Sequence, residues 1–261
     1  KKIFPQARVL RMDADTTKSK DSYEQILSAF ANREADILVG TQMIVKGHDF
    51  PYVTLVGILA ADLSLYANDY RASERTFQLL TQAAGRAGRD KRPGSVVIQT
   101  YNPEHFSVVN AARQDYEGFY REEIAYRELL QYPPCAHLCA ILFEGPDEEA
   151  VASLAVRVSD MLRIITAKET IPAAPVDAVS FVKPAQALSL SHPADYGIIS
   201  MIGPADANVR KISDIFRQVI YIKAKETDAL RRIKDMTEQY LDEHPAGKIR
   251  VTFDMDPLHG Y

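Results

Sequence analysis

Short apolar segments alternate with amphipathic segments over roughly the first 110 residues, and this alternation predicts a sheet flanked by helices. Runs of consecutive apolar residues are typical of strands that are covered on both faces. The predicted strands are 8–12, 36–39, 53–59 and 95–99. The segments 23–30 and 73–84 have the apolar period of helices, and the first places Tyr23, Ile26, Leu27 and Phe30 on one face. The order β-α-β-β-α-β predicts a mostly parallel sheet that binds ligands at the carboxyl ends of its strands.

A long polar helix is predicted next, over residues 105–130. The segment Tyr132-Pro133-Pro134 ends it, because proline lacks a backbone N–H and disfavours helix in the residue before it. We place the main boundary of the chain at this point. The predicted parts are a first domain at 1–113, a helical linker at 114–134 and a second domain at 135–261.

The second domain has its own alternation of strands and helices. Strands are predicted at 138–144, 176–182, 198–202, 219–223 and 248–254, helices at 147–167 and 228–242, and a turn at 204–211. Two helical crossovers on one sheet are typical of a small α+β domain with split βαβ topology.

The segment 81–89 places two arginines three residues apart, each preceded by a glycine. Arginine has a fixed charge and a planar fork of donors that suits phosphate oxygens, and glycine allows close backbone approach. Arg86 and Arg89 therefore have the character of arginine fingers, which bring positive charge to the γ-phosphate of a nucleotide. Gly-Arg pairs also occur in solvated loops and basic patches, so this interpretation depends on the rest of the chain.

A second polar segment, 40–50, leaves the end of a predicted buried strand, where a ligand loop is expected. Thr41 and Gln42 offer hydrogen-bonding side chains for a phosphate backbone. Gly47 permits close approach, and the carboxylate of Asp49 can accept hydrogen bonds from ribose hydroxyls.

The two polar segments resemble motifs V and VI of superfamily 2 helicases, which belong to the second RecA-like lobe of those enzymes. The resemblance is more specific to one family, the primosomal replication-restart helicases, also called primosomal protein N′ or PriA. It is carried by the segments 40–51, 71–82, 99–105, 132–134 and 254–257. It covers nearly the whole chain and is strongest over residues 8–134.

This resemblance implies a fold and a role for each motif residue. Residues 1–113 would form the second RecA-like lobe, followed by the α+β domain. Arg86 and Arg89 would be the catalytic groups at the nucleotide phosphates, and of the two Arg89 is favoured as the arginine finger. Gly47, Asp49 and Gln82 would bind the same ATP, while Thr41, Gln42 and Lys46 would lie near the DNA strand.

The resemblance also implies an activity for the complete enzyme. It would use ATP to move 3′ to 5′ on DNA at stalled replication forks and would assist primosome assembly. Its partners would be forked and single-stranded DNA, single-stranded-DNA-binding protein and other primosome proteins, in the cytoplasm and without a membrane. The alternatives are another superfamily 2 translocase and a non-catalytic interaction module that kept the lobe.

Motifs that ATP hydrolysis needs are absent from the 261 residues. There is no G-x-x-x-x-G-K-[ST] phosphate loop, no Asp-Glu-x-His magnesium motif and no paired C-x-x-C knuckle. The chain thus resembles the carboxy-terminal portion of the enzyme, with ATP and Mg²⁺ completed by the first lobe and Zn²⁺ in an insertion outside this sequence. We predict that this chain alone neither hydrolyses ATP nor unwinds DNA.

Composition narrows the possible classes of protein. The formal net charge of −4 argues against general, charge-driven binding of nucleic acid. Two cysteines argue against a disulfide framework and are consistent with a reducing compartment. No apolar run approaches the roughly 20 residues needed to cross a bilayer.

Several other side chains allow two interpretations. Cys135, His137 and Cys139 would share one face of a strand, and we favour a packed strand over a metal site because thiols are commonly buried. For Asp13 and Asp15 we favour turn formation over metal binding.

For two further groups of residues the sequence allows both a structural and a functional interpretation. Asp62 could face the cleft between lobes, and Tyr66 and Tyr70 could stack on bases, although local packing is commoner for loop tyrosines. The densest basic set of the second domain is favoured as a solvated face, with DNA contact as the alternative. Its members are Arg210, Lys211, Arg217, Arg231, Arg232 and Lys234.

Overall fold

The computed structural model of the chain describes residues 3–13, 15–17, 20–41, 50–67, 69–88, 94–166 and 199–261. The chain divides into two compact units. The first holds Lys1–Ala67 and Ala72–Phe119, and the second holds Asn68–Arg71 and Tyr120–Tyr261. Within the described ranges, no helix is both long enough and apolar enough to cross a membrane.

The first unit is built from parallel strand pairs and helices. Its elements are β1 (Val9–Met12), α1 (Lys20–Ala31), β2 (Ile37–Gly40), β3 (Leu55–Ile58), a 3-10 turn (Ala61–Ser64), α2 (Ala72–Ala84), β4 (Ser95–Ile98) and α3 (Phe106–Arg113). Strand β1 pairs with β2 and β3 pairs with β4, both in parallel. The predicted parallel pairing is confirmed, but the described strands form two separate pairs rather than one sheet.

Helix α1 packs through the face that the sequence predicts. Leu27 is buried with Met12 and Phe50, and Tyr23, Ile26 and Phe30 pack around them. The rings of Phe30 and Phe50 meet edge to face, with centroids 5.0 Å apart. This cluster fixes the helix on the β1–β2 pair.

The single helix predicted over 105–130 is wrong. The structure has α3 and a separate helix α4 (Tyr116–Leu130). Between them Gln114 adopts the left-handed conformation, with φ 55°, and its N–H donates to the carbonyl of Ala111. The carboxylate of Asp115 then accepts from the N–H of Gly118 at 2.8 Å, which is the hydrogen bond of a helix N-cap.

The second unit is an antiparallel sheet with helices. Its elements are β5 (His137–Gly145), α5 (Glu148–Thr166), β6 (Ile199–Ile212), β7 (Ile215–Ala224), α6 (Thr227–Glu243) and β8 (Arg250–Met255). The strand order is β6-β7-β5-β8 with antiparallel neighbours, so β5 is an interior strand. Residues from both helices and from β5 and β7 form one buried cluster with Phe143, Leu154, Ile220 and Leu230 among its members.

The turn predicted at 204–211 is wrong, because these residues continue β6. Strand β6 lies at the edge of the sheet, where proline is tolerated because its missing N–H can face away from the neighbouring strand. The ladder shifts register between Ile202 and Ala205, around Gly203 and Pro204. The strand predicted at 176–182 lies outside the described residues.

The contribution of α5 packing to the stability of the second unit can be measured with two substitutions on that helix. Leu154 is fully buried, so Leu154→Ala is expected to lower the free energy of unfolding by about 2–5 kcal/mol. Val156 is 47% exposed, so Val156→Ala is expected to change it by less than about 0.5 kcal/mol. Urea unfolding followed by circular dichroism provides the measurement, and equal losses for both variants would contradict the packing described for α5.

Candidate functional site

The arginine segment continues the last turn of helix α2. The N–H of Gly85 donates to the carbonyl of Thr81 at 3.0 Å, and the N–H of Arg86 donates to the carbonyl of Ala83 at 3.1 Å. Arg86 is half-buried, and its Nε atom is buried. The guanidinium of Arg86 is therefore carried on a hydrogen-bonded helix end.

The backbone after Arg86 is fixed by two glycines. Gly88 has φ 73°, a conformation that strains residues with a Cβ, and its N–H donates to the carbonyl of Val53 at 3.1 Å. Gly94 lies against the same backbone, because a Cβ placed there would be 2.3 Å from the nitrogen of Gly88. The backbone of Gly88, two residues after Arg86, therefore contacts Val53, which lies just before β3, and Gly94, which lies just before β4.

The structure describes three of the predicted site residues, Thr41, Gln82 and Arg86. Gln82 is an exposed residue of α2, four positions before Arg86, so the two lie at the same end of that helix. Thr41 follows β2 directly, is exposed, and donates its N–H to the carbonyl of Met12 at 3.4 Å. The other predicted residues lie outside the described ranges: Gln42, Lys46, Gly47, Asp49 and Arg89.

Arg86 fits the phosphate end of a nucleotide by the chemistry of its donors. A guanidinium presents planar N–H groups with a fixed charge, which match phosphate oxygens. The amide of Gln82 adds an NH₂ group that donates and an oxygen that accepts at the same helix end. Among the described residues, no group of three or more His, Cys, Asp or Glu side chains is arranged to hold a metal ion.

Asp62 joins the loops that follow two neighbouring parallel strands. Its carboxylate is 3% exposed and accepts from the hydroxyl of Thr100 at 2.5 Å and from the N–H groups of Tyr101 at 2.8 Å and Asn102 at 3.2 Å. The hydrogen bond from Thr100, together with those backbone N–H groups, lowers the pKa of Asp62 despite its burial. Of the two roles left open for Asp62, these hydrogen bonds support the structural one.

Sequence reasoning missed this role of Asp62, although a signal was present. Asp62 and Thr100 each come shortly after a predicted strand, and the carboxyl ends of paired parallel strands meet at one edge of the sheet. A polar partner for Asp62 across that edge could therefore have been predicted.

The period-two cysteine and histidine pattern marks a packed strand. Cys139 is buried in β5, and burial raises the pKa of its thiol to about 12, so the reactive thiolate is disfavoured. His137 Nδ1 lies 2.9 Å from Asp256 Oδ2. Cys135 precedes the strand, so the three side chains do not share one strand face as predicted.

Asp13 forms the predicted turn. Its side-chain oxygen accepts from the N–H of Thr16 at 3.1 Å, and its own N–H donates to the hydroxyl of Thr16 at 2.9 Å. Asp15 is exposed in the same turn. The interpretation of this segment as a turn is confirmed.

Most of the basic set in the second unit is paired with carboxylates. Arg217 lies 3.2 Å from Glu144, and Arg210 contacts both Glu148 and Asp206. The remaining pairs are Lys211 with Asp214, Arg231 with Asp228 and Lys234 with Glu238. The surface is therefore closer to neutral than its arginines and lysines alone indicate.

Two protein-family models match the chain. Residues 128–258 match the primosomal protein N C-terminal domain, and residues 1–91 match the helicase conserved C-terminal domain. The first match lies in the second compact unit and the second match lies mainly in the first, while residues 92–127 fall outside both matches.

Curated relatives align along the same residues. The replication restart protein PriA of Bacillus subtilis is 38% identical over 257 residues, which cover 98% of this chain and 28% of that protein. The proteins of the same name from Chlamydia pneumoniae and Synechocystis are 49% and 34% identical, over 62% and 98% of this chain and 22% and 27% of those proteins. The chain therefore spans little more than a quarter of the length of these relatives.

The requirement for glycine at position 88 can be tested by substitution. Gly88→Ala places a Cβ at positive φ and is expected to cost about 1–2 kcal/mol of stability. Gly57→Ala is the matched control, because a Cβ at Gly57 in β3 has no neighbour within 4 Å. Thermal unfolding of both variants measures the difference, and an unchanged melting temperature for Gly88→Ala would contradict the strained geometry.

Proposed function

The chain belongs to the family of the replication restart protein PriA, and on this premise we propose that it supplies the arginine side of an ATP site in a DNA helicase. It carries the helicase C-terminal domain and the C-terminal domain of that family. The family resemblance that the sequence predicts is confirmed. The activity, substrates and partners of the complete protein are part of the proposal.

The observation that carries the proposal is the position of Arg86. Arg86 lies at a hydrogen-bonded helix end, and two residues later the N–H of Gly88 donates to the carbonyl of Val53 while its backbone lies against Gly94. An arginine that stabilises a transition state must be held before the charge develops, since only preorganised donors lower the barrier without a reorganisation cost. The backbone hydrogen bonds of Arg86 and Gly88 support such preorganisation of the residue.

The two described residues of the proposed ATP site, Arg86 and Gln82, have distinct roles. Arg86 donates N–H groups to phosphate oxygens, and Gln82 contributes its amide from the preceding turn of α2. Bound ATP would supply the γ-phosphoryl group whose transfer to water drives the cycle. By family resemblance Arg89, Gly47 and Asp49 complete the arginine side, with Mg²⁺ and the phosphate loop on a first RecA-like lobe and Zn²⁺ in a separate insertion.

Contact with DNA is proposed for the loop after β2. Thr41 is exposed at the carboxyl end of that strand, and Gln42 and Lys46 follow it in the sequence. The basic set of the second unit is a weaker candidate, because its arginines and lysines are engaged by carboxylates. The proposed substrates are forked and single-stranded DNA in the cytoplasm, with single-stranded-DNA-binding protein and other primosome proteins as partners.

We also propose the domain boundaries of the chain. Residues 1–113 form the second RecA-like lobe, 114–134 a helical linker and 135–261 a carboxy-terminal domain. The described element order of the second unit, β-α-β-β-α-β with strands ordered β6-β7-β5-β8, supports a split βαβ topology for it.

Replacing Arg86 tests the proposed catalytic role. In the full-length protein, Arg86→Ala is expected to lower DNA-dependent ATP turnover by about 10³-fold, because the developing phosphate charge loses its donor. Arg86→Lys is expected to recover little, since an ammonium cannot present the same planar fork. Phosphate release gives the rate, and equilibrium binding of a labelled nucleotide shows whether affinity is kept.

The control for this experiment is Arg157→Ala, which removes an exposed arginine that donates to the hydroxyl of Ser153 on α5. It is expected to retain the parent rate. Parent-like turnover by both Arg86→Ala and Arg89→Ala would favour a non-catalytic interaction module over the proposed helicase.

The isolated 261-residue chain is expected to lack ATP turnover. Its sequence has no phosphate loop to hold the β- and γ-phosphates, so Arg86 alone has no positioned substrate. Phosphate release is measured with and without single-stranded DNA, on protein shown to be folded by circular dichroism. DNA-stimulated hydrolysis by this chain would overturn the assignment of half a site to it.

A further inference from the structure

Helix α2 has a buried hydroxyl on its packed face. Thr76 is 0% exposed, and it shares this face with Ala72, Phe77, Leu80 and Ala83. Burying a hydroxyl is costly unless the group is hydrogen-bonded. Apolar contacts are non-directional, whereas a hydrogen bond is restricted to a narrow range of distances. A hydrogen bond from Thr76 to another element therefore sets the position of α2 more narrowly than the apolar contacts around it.

The hydroxyl of Thr76 contacts the 3-10 turn that follows β3. Its oxygen lies 2.7 Å from Ser64 Oγ and 2.8 Å from the carbonyl oxygen of Ala72, and Ser64 Oγ lies 3.2 Å from the carbonyl oxygen of Ala61. Each hydroxyl has one proton to donate. Whichever hydroxyl donates to the other, the accepting one keeps its own proton for a carbonyl. The hydrogen bond between the two hydroxyls is therefore made in both arrangements.

The 3-10 turn that contains Ser64 is fixed to the loop after β4. The N–H of Ala61 donates to the carbonyl of Gln99 at 3.0 Å. Asp62, in the same turn, accepts from the hydroxyl of Thr100 and from the two backbone N–H groups that follow it. Ser64 is therefore presented to α2 from a hydrogen-bonded backbone.

Helix α2 and the residues after it are attached at both ends of β3. Ser64 comes after that strand and bonds to Thr76, whereas Val53 comes before the strand and accepts from the N–H of Gly88 at 3.1 Å. Arg86 follows Thr76 by ten positions, which corresponds to about 15 Å along a helix. Close-packed interiors transmit strain, so a shift of the helix at Thr76 also moves its arginine end.

We propose that Thr76 is a positioning residue for Arg86: the hydrogen bond between the hydroxyls of Thr76 and Ser64 sets the position of α2, and α2 carries that position to the arginine. This inference rests on the proposed role of Arg86 in ATP turnover. Thr76 is fully buried, so its effect on the reaction passes through the helix. A misplacement of about 1 Å at a reacting centre can cost on the order of 10²-fold in rate.

The test uses the full-length protein with Thr76→Val, Thr76→Ser and Ser64→Ala. Valine has nearly the shape of threonine without its hydroxyl, so Thr76→Val is expected to lower kcat for ATP by about 10-fold with KM unchanged. Thr76→Ser keeps the hydroxyl and is expected to stay within about three-fold of the parent. Ser64→Ala is expected to match Thr76→Val, and the two changes together should cost no more than either alone, because they remove the same hydrogen bond.

Thr237 on α6 provides a matched control. It is 0% exposed like Thr76, and its hydroxyl lies 2.7 Å from the carbonyl oxygen of Ile233, one helical turn earlier. Thr237→Val therefore makes the same substitution at a fully buried helix position of the second unit. It is expected to leave kcat within about two-fold of the parent. Equal losses of kcat for Thr76→Val and Thr237→Val would indicate general destabilisation and would contradict the proposal.

Hydrogen exchange distinguishes positioning from general instability. In Thr76→Val and Ser64→Ala the amides of α2 are expected to exchange faster, while those of β5 and α5 keep parent rates. If Thr76→Val does not fold, Ser64→Ala makes the same test at a half-buried residue of the turn. Parent kcat together with parent exchange in α2 would overturn the proposal and leave the proposed function in place. A higher KM for ATP with an unchanged kcat would also overturn it.

The variant Arg86→Ala identifies a failure of the proposed function. If it keeps full turnover, the proposed function fails, and the role of Thr76 in turnover fails with it. If it has lost turnover, adding Thr76→Val is expected to leave the residual rate unchanged, because Thr76 acts through Arg86. A further ten-fold fall in the double variant would show that Thr76 acts by another route, which contradicts the proposal.

Discussion

The burial of one face of helix α2 is the constraint on which the arginine site depends. A helix packed through Thr76, Phe77 and Leu80 cannot rotate or slide without losing contacts along its length. One end of the helix continues into the turn of Arg86, so the packing of this face also fixes where that turn lies in the first unit.

The sequence predicted those elements of the fold whose signals are local. Apolar runs and helical periods located β1 to β4, α1 and α2, because each pattern reflects burial of neighbouring residues. The break between α3 and α4 was missed, since glutamine gives no sequence signal for the left-handed conformation that Gln114 adopts. The segment around Pro204 was read as a turn, because the tolerance of proline depends on whether the strand lies at a sheet edge.

In the candidate site, too, local features could be predicted from the sequence, whereas contacts between distant residues could not. Two arginines after an amphipathic helix can be recognised from residue type and spacing, and the position of Arg86 at a helix end follows from them. The contact of Gly94 with Gly88, the hydrogen bonds of Asp62 and the stack of Tyr70 on Tyr132 all join residues brought together by the fold. Likewise, Arg217 pairs with Glu144, a residue distant in sequence, so its charge is partly neutralised in a way that the sequence does not show.

The strand order of the second unit has a consequence for how that unit folds. Strand β5 precedes β7 and β8 in the chain, yet it lies between them and pairs with both. Most of its ladder therefore joins residues that are far apart in sequence, so chain entropy is lost before the sheet hydrogen bonds form. During synthesis β5 leaves the ribosome before either partner strand, so its apolar residues are exposed to aggregation until β7 and β8 have been made.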